Sequence, residues 1–492
     1  MVTDASRNAK LMLGLNREMA APLYRQIFER VRVCITSGSM RPGDRLPSAR
    51  ALAVQLRVAR GTVDAAYELL QGEGYIIARR PSGSIVSPAL KIKRDARGFK
   101  PRDLLPLAAK PHERLANRKP TPDIQRPFQI GLPAFDMFPR KLWSRTATRC
   151  ARSFTAGDMN YPDPRGHLPL REAIASYVTI SRGITCDPEE VLVTNGYQGA
   201  LDLVAHTLLR SGDMAWFEDP GYFRARAVLE AAGINIVPIP VDGLGLNVQE
   251  GLRRAPRARA AIVTPAHQQP LGVALSLERR IELLSWAKSV GAWIVEDDYD
   301  GEFHYIGRPL SALKSLDRYG RVIYAGSFSK VLFPSLRLGY LIVPESVVRI
   351  LTDANHLRMA SLPIFNQAVV ASFMIEGHFA RHLKRMRDLY TTRRTSLARA
   401  LSKVFGDRIS VELRPGGMHL IARVCSSHRD VDLAQLAMEN GFAVGALSSH
   451  AIAKSGGQGL LLGFTNISEA DALENCQRLE RLIGKRLAVH SN

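Results

Sequence analysis

The sequence predicts an α/β protein in two parts: a small helical unit closed by a β-wing, and a large domain on a mainly parallel sheet. Three features predict it. Over residues 21–71 apolar side chains recur at helical spacing, and two short strand-like runs follow around Pro81-Ser82-Gly83. From about residue 126, apolar runs of four to six residues alternate with helix-length amphipathic stretches, as βαβ units do. Between them, residues 88–125 hold many prolines and basic residues without helix or strand period, and read as a linker. The expected units are therefore 20–87, a linker over 88–125 and a body over 126–486.

Composition narrows the class. Hydrophobic residues make up 46% and charged ones 23%, a globular balance. The formal net charge of +21 points to an anionic partner, nucleic acid foremost. A generically basic surface would carry the same charge, so a DNA-binding element must stand beside it. The five cysteines, Cys34, Cys150, Cys186, Cys425 and Cys476, are odd in number and never in CxxC spacing, which argues against a disulfide framework and a zinc site. The N-terminus lacks the pattern of a cleaved leader, and no apolar run nears the ~18 residues of a membrane span. A reducing cytoplasm and no membrane partner are expected.

In the N-terminal unit, Ala21 to Gly38 sets Leu23, Ile27, Val31 and Ile35 on one face, with Gly38 placed to end the helix. Pro42-Gly43 makes a turn, and Ser48 caps a short second helix carrying Leu52 and Leu56 inward. A third helix runs from about Gly61 to Gln71, with Val63, Ala66, Tyr67 and Leu70 facing the core. Gly74 to Val86 gives two short strands. Three helices and a wing make the winged helix-turn-helix plan, whose third helix enters the DNA major groove. The pieces LYRQI, RPGDRLPSARALA and GTVDAAYELLQGEGY, with the wing glycine, resemble the GntR family. The resemblance implies that Arg50, Arg60 and Thr62 meet double-stranded DNA, with Ser48 and Gly83 nearby. Guanidinium forks suit phosphates and guanine edges, and small hydroxyls suit phosphates. One departure is Ala59, where that family more often has serine.

The strongest chemical signal in the body is Ser327-Phe328-Ser329-Lys330 after a strand-like run, with Arg337 seven residues on. A lysine so placed suits a Schiff base with an aldehyde cofactor, and Ser327, Ser329 and Arg337 suit its phosphate. The tetrapeptide alone is a weak signal; its partners strengthen it. Strand-like IVEDDYDGEF ends in acids, and Asp297 is placed to hold a pyridine nitrogen protonated, with Tyr299 for the ring's phenolic oxygen. Glu296, Asp297, Asp298, Asp300 and Glu302 also suggest a metal site, but strand alternation splits them between two faces. Gly196, Tyr197 and Gln198 open a helix after a strand, where free N–H groups meet phosphate. Tyr222 in EDPGYF is placed to stack on the ring, and His267 lies in the loop TPAHQQPLG near the cofactor oxygen. Together these residues describe a site for pyridoxal 5′-phosphate.

In this order the motifs resemble fold-type I aminotransferases, and with the GntR-like head the whole chain resembles the MocR/GabR family of regulators. The set includes YPDPRGHLPLREAIASY, VTNGYQGALDL, SFSKVLFPSLRLGY and GGMHL. The resemblance implies a transcription regulator that senses a small-molecule effector, or the cofactor itself. It also implies a head-to-tail homodimer in which Tyr161 reaches the partner's cofactor phosphate. Two departures stand out. Gln269 occupies the place of an aromatic residue in the family and of asparagine in aminotransferases, and Leu461 that of the arginine that binds a substrate carboxylate. The lost arginine weighs against the alternative of a working aminotransferase with a DNA-binding appendage.

Overall fold

The computed structural model describes residues 15–16, 21–79, 83–90, 125–307, 310–359, 362–424, 428–453 and 457–487. Most of the expected linker, and Cys425, lie outside the described residues. The chain divides into two compact units, one within residues 1–111 and one within 112–492.

In the first unit the helices span Leu23–Thr36, Ala49–Leu56 and Arg60–Gly72, followed by strands β1 (Ile76–Arg79) and β2 (Gly83–Val86) paired as a hairpin. Ile27, Val31, Ile35, Leu52, Val63, Ala66, Tyr67 and Leu70 are buried together, as their spacing predicts; Leu56 is only half-buried. Ser48 caps the second helix by accepting from the Ala51 N–H at 3.2 Å. The Tyr67 hydroxyl donates to the Pro47 carbonyl at 2.8 Å, tying the third helix to the turn before the second. Ala59 stands at the N-cap of that third helix and gives it no side-chain cap.

The second unit is built on a sheet of order β3-β10-β9-β8-β7-β4-β5-β6. Its strands are β3 (Val191–Thr194), β4 (Met214–Asp219), β5 (Asn235–Asp242), β6 (Gly245–Leu246), β7 (Ala260–Val263), β8 (Trp293–Asp298), β9 (Val322–Ser327) and β10 (Gly339–Ile342). The pairs β4–β5, β4–β7, β7–β8 and β8–β9 are parallel; β10 is antiparallel to both β3 and β9, and β6 to β5. The central strands are apolar on both faces because helices cover both. Leu192, Val204, Phe217, Val295 and Leu341 pack on one side. Trp216 and Trp286, stacked with ring centroids 3.8 Å apart, anchor another cluster. A second, four-stranded antiparallel sheet follows, ordered β11 (Ile409–Glu412), β12 (His419–Val424), β14 (Gly459–Gly463) and β13 (Gly445–Ala446).

Because Ala59 lies in extended conformation at an uncapped helix start, Ala59→Ser should stabilise the first unit by about 1 kcal/mol. Urea denaturation followed by helical circular dichroism checks this, and an unchanged or lower midpoint contradicts it.

Candidate active site and nucleic-acid interface

Strand direction creates the site. Strands β3, β4, β7, β8 and β9 run the same way, since β10 reverses between β3 and β9. Their carboxyl ends open on one sheet edge, where α/β sheets bind ligands. The segments Thr194–Gln198, Glu218–Tyr222, Thr264–Gln268, Asp297–Asp300 and Ser327–Lys330 lie there.

Register brings the expected phosphate groups to one corner. Gly339 pairs with Thr194 on one side and Ser327 on the other, and Arg337 precedes it by two residues. A Cβ on Gly339 would stand 3.0 Å from the Gly196 Cα, so the helix start packs closely against bare backbone. Gly196 opens the helix Gly196–Leu208, whose first N–H groups have no partner within the helix. The Ser327 hydroxyl accepts from the Ser329 N–H at 3.2 Å. Arg337 is exposed and left-handed, with φ +50°, a strained state for a residue bearing a Cβ.

Lys330 lies just beyond β9, half-buried, and its Nζ donates to the Gly131 carbonyl at 2.7 Å. Burial depresses its pKa and the Arg224 guanidinium adds to this, against the pull of Asp300 and Asp297. A depressed pKa leaves more of the amine neutral and nucleophilic.

Alternation along β8 sorts the acids. Glu296 turns away and accepts from the N–H groups of Leu313 and Lys314, at 2.7 and 2.8 Å. Asp298 accepts from Arg182 Nε at 2.5 Å and the Tyr324 hydroxyl at 2.7 Å. Glu302 lies 3.0 Å from the same guanidinium. Asp297 faces the opposite way, lining a cavity with Tyr197, Glu218, Tyr222 and Thr264. Its Oδ1 is buried without a hydrogen-bond partner, and burial, then Asp298, pushes its pKa well up. Asp298 and Glu302 thus share Arg182, Glu296 is held by backbone N–H groups, and Asp297 faces the cavity.

The tyrosines frame this cavity. Tyr197 and Tyr222 lie with ring centroids 6.4 Å apart. Tyr299 was expected to face a cofactor oxygen; its hydroxyl here lies 2.9 Å from His267 Nδ1. Tyr161 stands apart from these groups, its side chain 92% exposed. Leu461 is fully buried in a small apolar cluster with Leu271, Val273, Ile421 and Leu447. Gln198 sits half-buried in the first turn of its helix.

Sequence reasoning missed Glu218 and Arg224, and weighed Asp300 only as one of five clustered acids. Glu218 accepts from the Thr264 N–H and hydroxyl, at 3.0 and 2.5 Å, and from Gln268 Nε2 at 3.1 Å. It ties the end of β4 to the loop after β7. Burial pushes its pKa up to about 7 against these bonds. The signal in sequence was an acid closing an apolar strand, which EDPGYF contains.

In the first unit, Ser48, Arg50, Arg60 and Gly83 are exposed, and Thr62 is half-exposed in the first turn of the third helix. Arg60 pairs only loosely with Asp64, at 3.4 Å, so its guanidinium remains available to solvent.

Comparison with known proteins agrees with both halves. Residues 23–86 match the model for bacterial regulatory proteins of the gntR family, and residues 143–458 match aminotransferase class I and II. The chain is 36% identical over 480 residues to the probable rhizopine catabolism regulatory protein MocR of Rhizobium meliloti, covering 95% of each. It is 32% identical to the pyridoxine biosynthesis transcriptional regulator PdxR of Corynebacterium glutamicum, covering 94% of this chain and 96% of that protein. The fold matches the Pyrococcus horikoshii kynurenine aminotransferase with TM-score 0.69 and 25% identity, covering 76% of this chain and 97% of that one. It also matches the Thermus thermophilus α-aminoadipate aminotransferase LysN with TM-score 0.66 and 29% identity, covering 73% and 92%. The chain is thus a helix-turn-helix regulator fused to a fold-type I aminotransferase-like body. It belongs to the MocR family of GntR-type transcription regulators.

Two predictions follow from the buried charges. Arg182→Ala strands Asp298 and Glu302 in the interior and should cost about 3–5 kcal/mol, read by urea denaturation of the second unit; a loss below 1 kcal/mol contradicts the pairing. Glu218 and Glu296 both titrate near 7 in the folded chain, above the 4.5 of a free glutamate. The folded state then binds more protons between those values, so stability falls as pH rises from about 4.5 to 7. Glu218→Gln should flatten that decline, and an unchanged slope contradicts it.

Proposed function

We propose that this regulator holds pyridoxal 5′-phosphate on Lys330 and uses the loaded body to sense a small molecule and set how its winged units engage an operator. The observation that carries the reading is that Lys330 and a buried carboxylate, Asp297, whose Oδ1 lacks a partner, stand at the same strand edge. An unpaired buried carboxylate calls for an N–H or cationic partner, which a protonated pyridine nitrogen supplies. Bound there, the cofactor supplies an aldehyde for primary amines and an electron-withdrawing ring.

The residues then have distinct tasks. Lys330 offers the amine. Asp297 keeps a proton on the ring nitrogen. The N–H groups at Gly196, Tyr197 and Gln198, with Ser327, Ser329 and Arg337, take the phosphate. Tyr222 covers a ring face, and Tyr299 meets the phenolic oxygen. Leu461 leaves no cation at the place where aminotransferases hold a carboxylate, and its apolar neighbours would penalise a charge there.

The chain acts as a head-to-tail homodimer in the cytoplasm, with units bounded at 20–87, 88–125 and 126–486. The bare exposure of Tyr161 supports a role against a partner's phosphate. Among the described residues no helix is long and apolar enough to cross a membrane. The net charge of +21 and the basic linker favour DNA phosphates. Effector binding alters the placement of the winged units only through different affinity for two arrangements.

Two variants separate the halves. Lys330→Ala should lose the visible absorbance of bound cofactor after dialysis while still binding operator DNA; retained absorbance contradicts the assignment. Arg60→Ala should weaken operator binding by about 1–3 kcal/mol and leave the absorbance intact; unchanged affinity removes Arg60 from the interface.

A further inference from the structure

The hydroxyl of Tyr299 does not stand alone. His267 Nδ1 lies 2.9 Å from it and 3.2 Å from Asp300 Oδ2. His267 is 8% exposed and Asp300 1%. Asp300 Oδ2 is within ion-pair reach of the imidazole, and the same carboxylate acts on the Tyr299 hydroxyl. The ring sits in a slot made for it. A Cβ on Gly417 would fall 2.2 Å from His267 Cε1, and one on Gly272 would fall 2.8 Å from Nε2; both glycines have left-handed φ, +95° and +67°. The imidazole is therefore held with its Nδ1 edge toward Tyr299 and Asp300.

We propose that His267 and Asp300 are positioning residues that aim the Tyr299 hydroxyl and thereby set the proton affinity of the cofactor held on Lys330. The inference rests on the reading that Lys330 holds pyridoxal phosphate. The buried Asp300 carboxylate favours an imidazole carrying its proton on Nδ1. That N–H donates to the Tyr299 oxygen and, lying 3.2 Å from Asp300 Oδ2, also engages the carboxylate that would otherwise take the phenol proton, so this proton turns to the cofactor oxygen. A phenol that accepts a hydrogen bond is also a stronger donor. Negative charge on the cofactor oxygen is thereby stabilised, and the nearby nitrogen holds its proton less tightly.

Other charged groups face the same place. From β12, His419 approaches with ring centroids 6.2 Å apart, its Nε2 2.9 Å from the Pro270 carbonyl. Burial, with His267 beside it, lowers its pKa to about 4, so it brings no charge near neutral pH. Asp297 from β8 and Lys330 after β9 act on the same pocket. Arg182 and His304 line the small cavity beyond Asp300, and the stem of Arg414 packs across Gly272. The His267–Asp300 pair is the group in contact with the phenol itself.

The test is a pH titration of the visible absorbance of the full-length protein loaded with pyridoxal phosphate. His267→Phe should raise the midpoint, a rise in proton affinity of about threefold or more, whereas Asp300→Asn also removes a charge that favours the protonated nitrogen at Lys330 and so does not separate the two effects. Tyr299→Phe should raise it too, and His267→Phe added to Tyr299→Phe should shift it no further. His267→Asn, which keeps an N–H near the Nδ1 position, should restore most of the wild-type midpoint, as a purely structural role would not. A midpoint equal to wild type in His267→Phe overturns the inference, as does a shift that simply adds to that of Tyr299→Phe. Should His267→Phe fail to fold, His267→Leu, read against His267→Asn, decides it: a raised midpoint in the first and not the second is expected, and equal midpoints overturn the inference. A wild-type protein that develops no such absorbance overturns the underlying cofactor reading as well.

Discussion

A carboxylate without a counter-charge is among the most costly things a protein can bury, at several kcal/mol even after relaxation. Asp297 has no ion-pair partner among the described residues; burial and Asp298 push its pKa well up, and the Tyr197 hydroxyl offsets this only in part. Asp298 beside it is satisfied by Arg182 and Tyr324, and Glu218 across the cavity is satisfied by Thr264 and Gln268. Each of those acids has its own donors, so none competes for what Asp297 lacks. Asp297 Oδ1 is thus left without a partner at the sheet edge that also carries a lysine whose pKa burial depresses. An aldehyde cofactor with a basic ring nitrogen completes both.

The backbone makes this arrangement possible. A single reversed strand, β10, lies between β3 and β9 and places Gly339 against both. A helix start, a serine and an arginine meet at that corner although they are far apart in sequence. Arg182 serves the same end from below. It closes the helix Leu168–Arg182 and clamps Asp298 and Glu302, so the turn carrying Tyr299 and Asp300 is held from both ends. The second sheet adds Gly417 and His419 around His267, and Leu461 to the apolar cluster.

Much of this was legible in the sequence, for identifiable reasons. The strands around Trp216, Ile262, Val295 and Ile323 read as continuous apolar runs because both faces are covered. Asp297 could be separated from Glu296 and Asp298 by strand alternation alone. The first unit was legible nearly residue by residue, because its helices are amphipathic and Ser48 is a good cap; the third helix starts at Arg60, one residue before the expected place. The direction of β10 was not legible, since GYLI carries the same local pattern either way. Glu218 and the part played by Asp300 escaped because their meaning lies in partners distant along the chain: Thr264 stands 46 residues from Glu218. Tyr299 was assigned to the cofactor from spacing, while its bond to His267 depends on a loop that spacing does not place. The exposure of Tyr161 has no explanation within one chain.

The central claim is that one particular amine carries the cofactor. Reducing the loaded protein with borohydride and mapping the modified peptide by mass spectrometry tests it most directly. The account predicts a single stoichiometric pyridoxyl adduct on Lys330, in the peptide that follows Ser327. An adduct on Lys314, or label spread thinly over surface lysines with Lys330 unmodified, would contradict it.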